Sequence, residues 1–429
     1  MPTAQRDPAQ ASAAAEDTPE RRGSVVEVAR FFGWLSLVGF GGPAAHLAVM
    51  RRELVDRRGW LTSQEFLDLL GATQLIPGPN STEMAIHIGY RRAGLRGLLA
   101  GGVCFIVPAA LITLLLSWLY VRYGRLPSVQ PMLVGIQASV VAVVALAVWS
   151  LGRTALRSRG LWALGATAFG ASLFGVPELA VFFGGGLLYL LCVCWLGPVL
   201  RRMSASGPTL PSILSPLCGL GLIPALPLPG APQVAGDAMT QRAVWVSLPT
   251  LAWFFIKVGS VIYGSGYVLV ALLLRGVVEQ RAWLPRSVLL DAVAIGQVTP
   301  GPVFTTATCV GYLLRGSVGA LVATAAIFAP SFALVWGLDA LLGRLRSSRG
   351  LRVFLDGVNA CSLSLLAATV AGLLLSLWQR GEQRWLLWSL CSLALGIVAR
   401  LNPSWLIVAG ALGGGLLGGC RVGVSSGLP

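Results

Sequence analysis

The chain contains itself twice. Residues 31–79 align without a gap on residues 254–302. The shared positions include Phe31/Phe254, Phe32/Phe255, Gly41/Gly264, Trp60/Trp283, Leu61/Leu284, Asp68/Asp291, Gln74/Gln297 and Pro77-Gly78-Pro79 against Pro300-Gly301-Pro302. After a one-residue deletion the match resumes, with Gly89-Tyr90 on Gly311-Tyr312, Gly94 on Gly316, Gly97 on Gly319 and Pro108 on Pro330. A duplicated apolar half is a signature of secondary transporters, in which substrate sits where the halves meet.

With 55% apolar and 11% charged residues, and a mean hydropathy of +0.76, the chain cannot cover a water-facing surface of this size. It reads as an all-α integral membrane protein of two homologous halves. Long, nearly charge-free stretches at 97–120, 129–150, 161–197, 317–342, 353–377, 385–399 and 404–420 are able to cross a bilayer. The stretch 161–197 is interrupted at Gly175-Val176-Pro177, which predicts two short helices. The repeat cores, 28–50 with 64–90 and 251–274 with 287–312, are cut by Gly and Pro and predict broken or re-entrant helices. In all, roughly 10–12 transmembrane or re-entrant helices are expected, with the broken ones at the repeat interface.

The domain expectation is a polar tail over 1–23, a first repeat over 24–200, a linker over 201–243 and a second repeat over 244–425. The tail has no apolar core of a signal peptide and reads as disordered and cytoplasmic. The linker carries seven prolines, which no regular helix sustains. Its central part, 213–228, is apolar enough to lie on the membrane surface.

A net charge of +15 comes almost entirely from arginines in short loops, at 51–58, 91–96, 153–159 and 344–352. Such placement is membrane topology, not a nucleic-acid face, and puts the first-half broken region in the cytoplasm. The bias vanishes in the second half, which predicts inverted repeats. The cysteines lie mostly within apolar spans without metal-ligand spacing, so no cofactor, metal or disulfide is expected.

Chemistry belongs in the breaks, because backbone freed from a helix at membrane depth must be buried or line a cavity. Gly39-Phe40-Gly41-Gly42-Pro43 ends one helix and starts another, and Gly264-Ser265-Gly266 repeats it. Glycines allow close backbone approach, and a helix N-terminus attracts anions; the same glycines also suit plain helix packing. Gln74-Leu75-Ile76-Pro77-Gly78-Pro79-Asn80-Ser81 and Gln297-Val298-Thr299-Pro300-Gly301-Pro302 form the second pair of breaks. Here Asn80 and Ser81 are expected to cap the outgoing helix. Gln74 and Gln297 either donate to a bound oxygen or satisfy carbonyls freed by the prolines.

Charged residues in apolar segments are functional candidates by default. Lys257 is the only lysine; a buried ammonium there would complement a divalent anion, whereas a snorkelling one would reach the interface. Glu83 and His87 share a helix face and can exchange protons, or form a static polar pair. Asp68 and Asp291 are placed to brace the second break as well as to bind. His46 is expected at the interface near the arginine loop. Glycine faces at Gly184-Gly185-Gly186 and Gly413-Gly414-Gly415 suit packing of the halves, or of two protomers as a homodimer.

These residues resemble the chromate ion transporter (CHR) family in its long-chain, two-domain form, over nearly the whole chain after residue 25. The motifs are Phe32 with Gly39 to His46, Arg58-Gly59-Trp60-Leu61, Gln74-x-x-Pro77-Gly78-Pro79, Phe255-x-Lys257-x-Gly259, Gly264-Ser265-Gly266-Tyr267 and Gln297-x-x-Pro300-Gly301-Pro302. The chain departs from the family pattern at Trp34, where members often carry a basic residue, and at Gly264-Ser265-Gly266-Tyr267, often Gly-Gly-Gly-His. The resemblance implies chromate export across the cytoplasmic membrane, coupled to proton entry and conferring resistance, with sulfate as a related substrate or competitor. The expected partners are thus chromate, sulfate, protons and the bilayer.

The combined expectation is alternating access, with helix N-termini at all four breaks converging on a dianion assisted by Lys257, and Glu83 and His87 carrying protons. A sulfate or other oxyanion permease and an anion channel are the alternatives. An enzyme is not expected, since the chain has two histidines and no HExxH.

Overall fold

The computed structural model describes residues 23–40, 42–196, 246–263, 266–379, 382–399, 401 and 403–422. The expected linker, most of the expected tail and the site candidates Gly41, Gly264 and Ser265 lie outside the described residues. Among these residues the chain is helical, without strands.

In the first half, α1 (Val25–Val38) is followed by α2 (Gly42–Arg51), continued as a π-helical turn (Arg52–Arg57), then α3 (Ser63–Thr73), α4 (Asn80–Tyr123), α5 (Gln130–Ala155), α6 (Arg159–Leu173) and α7, which joins Ala180–Gly184, Gly185–Leu191 and Cys192–Leu196. The second half repeats the order. It comprises α8 (Leu248–Val261), α9 (Val268–Leu273) with its π-turn (Leu274–Glu279), α10 (Arg286–Val298), α11 (Val303–Thr305 into Thr306–Ser347), α12 (Arg349–Gln379), α13 (Gln383–Ala399) and α14 (Pro403–Val422). The long helices α4, α5, α11 and α12 are apolar enough to cross a membrane, and the protein is multi-pass.

Both α4 and α11 are hairpins. The helix breaks at Ala93-Gly94 and, in the repeat, at Arg315-Gly316, where the glycines hold φ of 59° and 62°. Only glycine takes that conformation without strain. The arms then pack backbone to backbone: a Cβ on Gly89 would meet the Gly97 carbonyl and one on Gly97 the Gly89 carbonyl, with Gly311 and Gly319 repeating the pair. Arm 80–92 therefore returns to where α3 began, and 95–123 makes the full crossing.

The return of α2 is held by a stacked arginine. Arg58 lies 5.0 Å over Phe31 and 5.7 Å over Trp60, and Arg281 lies 4.9 Å over Phe254 and 5.3 Å over Trp283. Guanidinium groups on aromatic faces gain both cation–π and packing energy. These repeated residues are thus the buckle of each hairpin.

The halves are antiparallel. In the first, Gly23 N–H donates to the Arg92 carbonyl (3.0 Å) and Arg92 covers Trp60, so both hairpins open at one end. In the second, Arg315 donates to the Val246 carbonyl (2.9 Å), which gathers the same elements. Tyr120, at the far end of the α4 crossing, donates to Asp291 near the start of α10 (2.8 Å). The second half therefore enters from the end opposite to the first, the inverted arrangement that the charge pattern predicts.

The remaining helices interleave across the halves. A Cβ on Gly186 would meet Val358 and Phe354 of α12, one on Gly414 would meet the Pro131 carbonyl of α5, and Trp388 donates to Ser139 (3.0 Å). Both glycine faces thus pack half to half. As expected, 161–197 is two helices, turning at Gly175 with φ 77°.

Candidate functional site

The four breaks meet in two reciprocal pairs. Gly78 N–H donates to the Ile262 carbonyl (2.8 Å), and Gly301 N–H donates to the Gly39 carbonyl (3.0 Å). Gly78 and Gly301 are repeat equivalents, and so are Gly39 and Ile262. Within each Pro-Gly-Pro the glycine carries the only N–H, since proline has none. The site expectation is corrected here: the Gly78 and Gly301 amides join the halves and are not free to receive substrate. Their φ values of 145° and 94° suit glycine.

His46 is also corrected. It is fully buried, with Nε2 2.8 Å from the Gly39 carbonyl and its ring edge-on to Phe105. A carbonyl only accepts, so Nε2 carries the hydrogen. The repeat partner is Leu269, buried in apolar surroundings. This mismatch was the available signal that His46 works at the break.

The outgoing helix is not capped by Asn80 or Ser81. Pro79 takes the cap position and no side chain closes the helix start. Asn80 instead faces a polar cavity of about 370 Å³ and Ser81 is buried, its hydroxyl without a hydrogen-bond partner among the described residues. Asn80 and Gln74 line the cavity beside Tyr263 and Val268 of the second half, Thr154 in the last turn of α5, Arg157 just after it, and Asp356, Asn359 and Ser362 of α12. Amides, hydroxyls and a guanidinium facing one space make its lining rich in hydrogen-bond donors.

Both Pro-Gly-Pro turns are buried, and they differ in the residues that flank them. Pro300, Gly301 and Pro302 are buried, and buried Gln297 leaves its Nε2 without an acceptor among the described residues. That amide therefore does not satisfy a carbonyl freed by the prolines. Gly42, with φ 77°, and Pro43 open α2 across from the Tyr267 hydroxyl, and Gly266 lies buried beside Val303 and Phe304.

Glu83 is fully buried, and neither carboxylate oxygen has a hydrogen-bond partner among the described residues. It and Ser331, whose hydroxyl is likewise without a partner among the described residues, both lie against Gly78, and its charge acts on Tyr263 of the cavity wall. An unpaired buried carboxylate costs several kcal/mol, so a protonated state is accessible there. His87, one turn on, is also fully buried.

The expectation of a buried Lys257 is not met. Lys257 is exposed on the stripe of α8 that carries Trp253, away from buried Phe254, Phe255 and Val258. Helical periodicity puts residues 253 and 257 on one face and the core residues on the other. The cation that lines the cavity is Arg157, which the sequence shows only as one of several loop arginines. Asp291 braces the halves, accepting from Tyr120 and from Gln137 (2.9 Å).

A family profile described as "Chromate transporter" matches residues 26–190 and 249–415. A chromate transport protein of Cupriavidus metallidurans is 30% identical over 80% of this chain and 81% of its own. One of Pseudomonas aeruginosa is 32% identical over 80% of each, and a probable chromate transport protein of Synechococcus elongatus is 29% identical over 89% and 90%. No solved structure matches. The matched stretches fall on the two inverted halves whose breaks build the site, and the chain belongs to the chromate transporter family.

Proposed function

We propose that this protein carries chromate out of the cytoplasm by alternating access, driven by proton entry, and so confers chromate resistance. The observation that carries the reading is the polar cavity at the meeting point of the inverted halves, in a chain of this family. Gln74, Asn80, Asn359, Tyr263 and Arg157 supply donors for a tetrahedral dianion, with the uncapped start of α4 beside them. Glu83, behind Gly78, carries the proton and His87 relays it.

Arg157 follows α5, which runs back from the far end of α4, so we assign it to the same side as the arginine loops 51–58 and 91–96. By the positive-inside rule that side is assigned to the cytoplasm and the protein to the inner membrane. Gly42, Pro43 and Gly266 guide the close approach of backbone, and buried Gln297 becomes a donor when the second break opens. Exposed Lys257 stands outside the site.

Labelled-chromate uptake into inside-out vesicles, with and without an imposed proton gradient and with excess sulfate, tests the reading. Gradient-driven, protein-dependent accumulation is the expected result. Accumulation of sulfate without chromate would replace the substrate and make this a sulfate permease.

A further inference from the structure

The cavity holds one feature at odds with an anion site, a carboxylate. Asp356 and Arg157 both line it, and both are exposed to it. Arg157 is anchored through Nε to the Thr154 carbonyl (2.7 Å), which leaves its terminal nitrogens to the cavity. Arg157 and Arg352 are the basic groups whose charge acts on Asp356. Among the described residues Asp356 and Arg157 form no direct ion pair, so each remains able to meet a third charge.

The position of Asp356 is held by its neighbour. Gly357 packs so closely on α7 that a Cβ would lie 2.9 Å from the Gly186 Cα. That turn of α12 is therefore seated backbone to backbone, and the carboxylate stands at a set place in the wall. Continuing the repeat offset puts Val134 opposite Asp356 and Gln379 opposite Arg157. Neither charge is duplicated at that offset, as expected of groups that serve one shared cavity and not a repeated pair of sites.

We infer that Arg157 is the substrate's counter-charge in the cavity and that Asp356 is a tethered competing anion, which weakens dianion binding enough for release. This rests on the transport reading above. A carrier must bind firmly enough to select and loosely enough to let go. Without a bound dianion the Asp356 carboxylate only partly offsets the field of Arg157 and Arg352; a bound dianion takes over the Arg157 guanidinium and feels repulsion from the carboxylate, which favours its departure.

The test is equilibrium binding of chromate and of sulfate to the purified full-length protein by calorimetry, together with vesicle uptake, for wild type, Asp356→Asn and Arg157→Gln. Asp356→Asn is expected to tighten Kd about three- to tenfold and slow turnover, the size expected of removing one like charge near a protein surface. Arg157→Gln is expected to weaken Kd by about tenfold or more. Both side chains are exposed, and unchanged melting temperatures are expected of both variants. Unchanged or weaker binding in Asp356→Asn, alongside normal wild-type chromate uptake, overturns the inference and leaves the transport reading intact. Tighter binding of sulfate in Asp356→Asn, with no chromate uptake by wild type, sustains the inference and removes chromate as the substrate.

Discussion

Gly78 of the first half donates its N–H to the carbonyl of Ile262 in the second, and the repeat returns the bond from Gly301 to Gly39. Each half thus supplies the missing partner for a helix end broken in the other. A helix ending at membrane depth leaves carbonyls that must be satisfied, and here the only amide in each Pro-Gly-Pro does so across the interface. Movement between the halves must break or carry along these two bonds.

A side chain at either glycine should be poorly tolerated. A Cβ on Gly78 would strike the Glu83 carboxylate and Ser331, and one on Gly301 would lie 2.6 Å from Ala109 Cβ. Gly78→Ala and Gly301→Ala are each expected to cost about 1–3 kcal/mol from strain and to reduce chromate uptake severely. Vesicle uptake and detergent melting curves measure both effects, and normal uptake in Gly301→Ala would refute the shared role.

Loss of the His46 bond to the Gly39 carbonyl should destabilise by about 1–2 kcal/mol. His46→Leu, which installs the residue its repeat partner carries, is expected to melt closer to wild type than His46→Ala does, because it refills the volume beside Phe105. Identical melting of the two variants would argue against the packing half of this account.

Glu83→Gln keeps the shape of the buried side chain and removes its proton chemistry. Uptake driven by a pH gradient is expected to fall to the level seen without one, while exchange of labelled for unlabelled substrate persists. Retention of full gradient-driven uptake would take Glu83 out of coupling. Lys257→Ala, on the outward face of α8, is expected to leave KM within about twofold, as is usual for surface charges away from a site.

The start of α3 offers a pH-dependent test outside the spans. Thr62 caps the helix, and its backbone amide and hydroxyl bond the Glu65 carboxylate, which holds that carboxylate below its ordinary pKa. A depressed carboxylate stabilises the folded state above its unfolded pKa and loses that contribution as pH falls through the folded value. Thr62→Ala should therefore lower stability by about 1 kcal/mol near neutral pH. The gap from wild type should narrow under acid, as read from melting temperature against pH.

Arg275 and Arg52 are repeat equivalents with unequal surroundings. Arg275 donates to the carbonyls of Ser172 and Val176 and lies 3.8 Å from Glu178, joining α9 to the end of α6. Arg52 is exposed and, among the described residues, pairs with its neighbour Glu53 at 3.6 Å. Arg275→Ala is expected to lower Tm by several degrees and Arg52→Ala by less than about one degree. Equal effects would show that the clamp is not one-sided.

Much was legible before any coordinates. Span positions, the interruption near Gly175 and the hairpin cores follow from apolar run length and from Gly and Pro, whose backbone limits act locally. The loss of the arginine bias in the second half favoured inversion without deciding it, because charge placement reports only the side of each loop. The roles of Lys257, Arg157 and His46 were not legible in the same way. Whether a charge faces outward or inward depends on which stripe of its helix the neighbours cover, and Arg157 differs from the other loop arginines only in lying beside α12. Asn80 and Ser81 have the chemistry of caps, yet Pro79 already holds the cap position.

By itself, the sequence determined that this is a duplicated, multi-pass membrane protein with paired breaks, because hydrophobic length, duplication and the geometry of Gly and Pro are properties of short segments. Tertiary structure alone decided that the breaks close on one another across the halves, that Gln74 and Asn80 beside one Pro-Gly-Pro face a polar cavity while Gln297 and Val303 beside its copy are buried, and that Arg157 and Asp356 face that space. Those outcomes depend on contacts between residues far apart in the chain, and near-identical motifs acquire different roles when the helices packed around them differ.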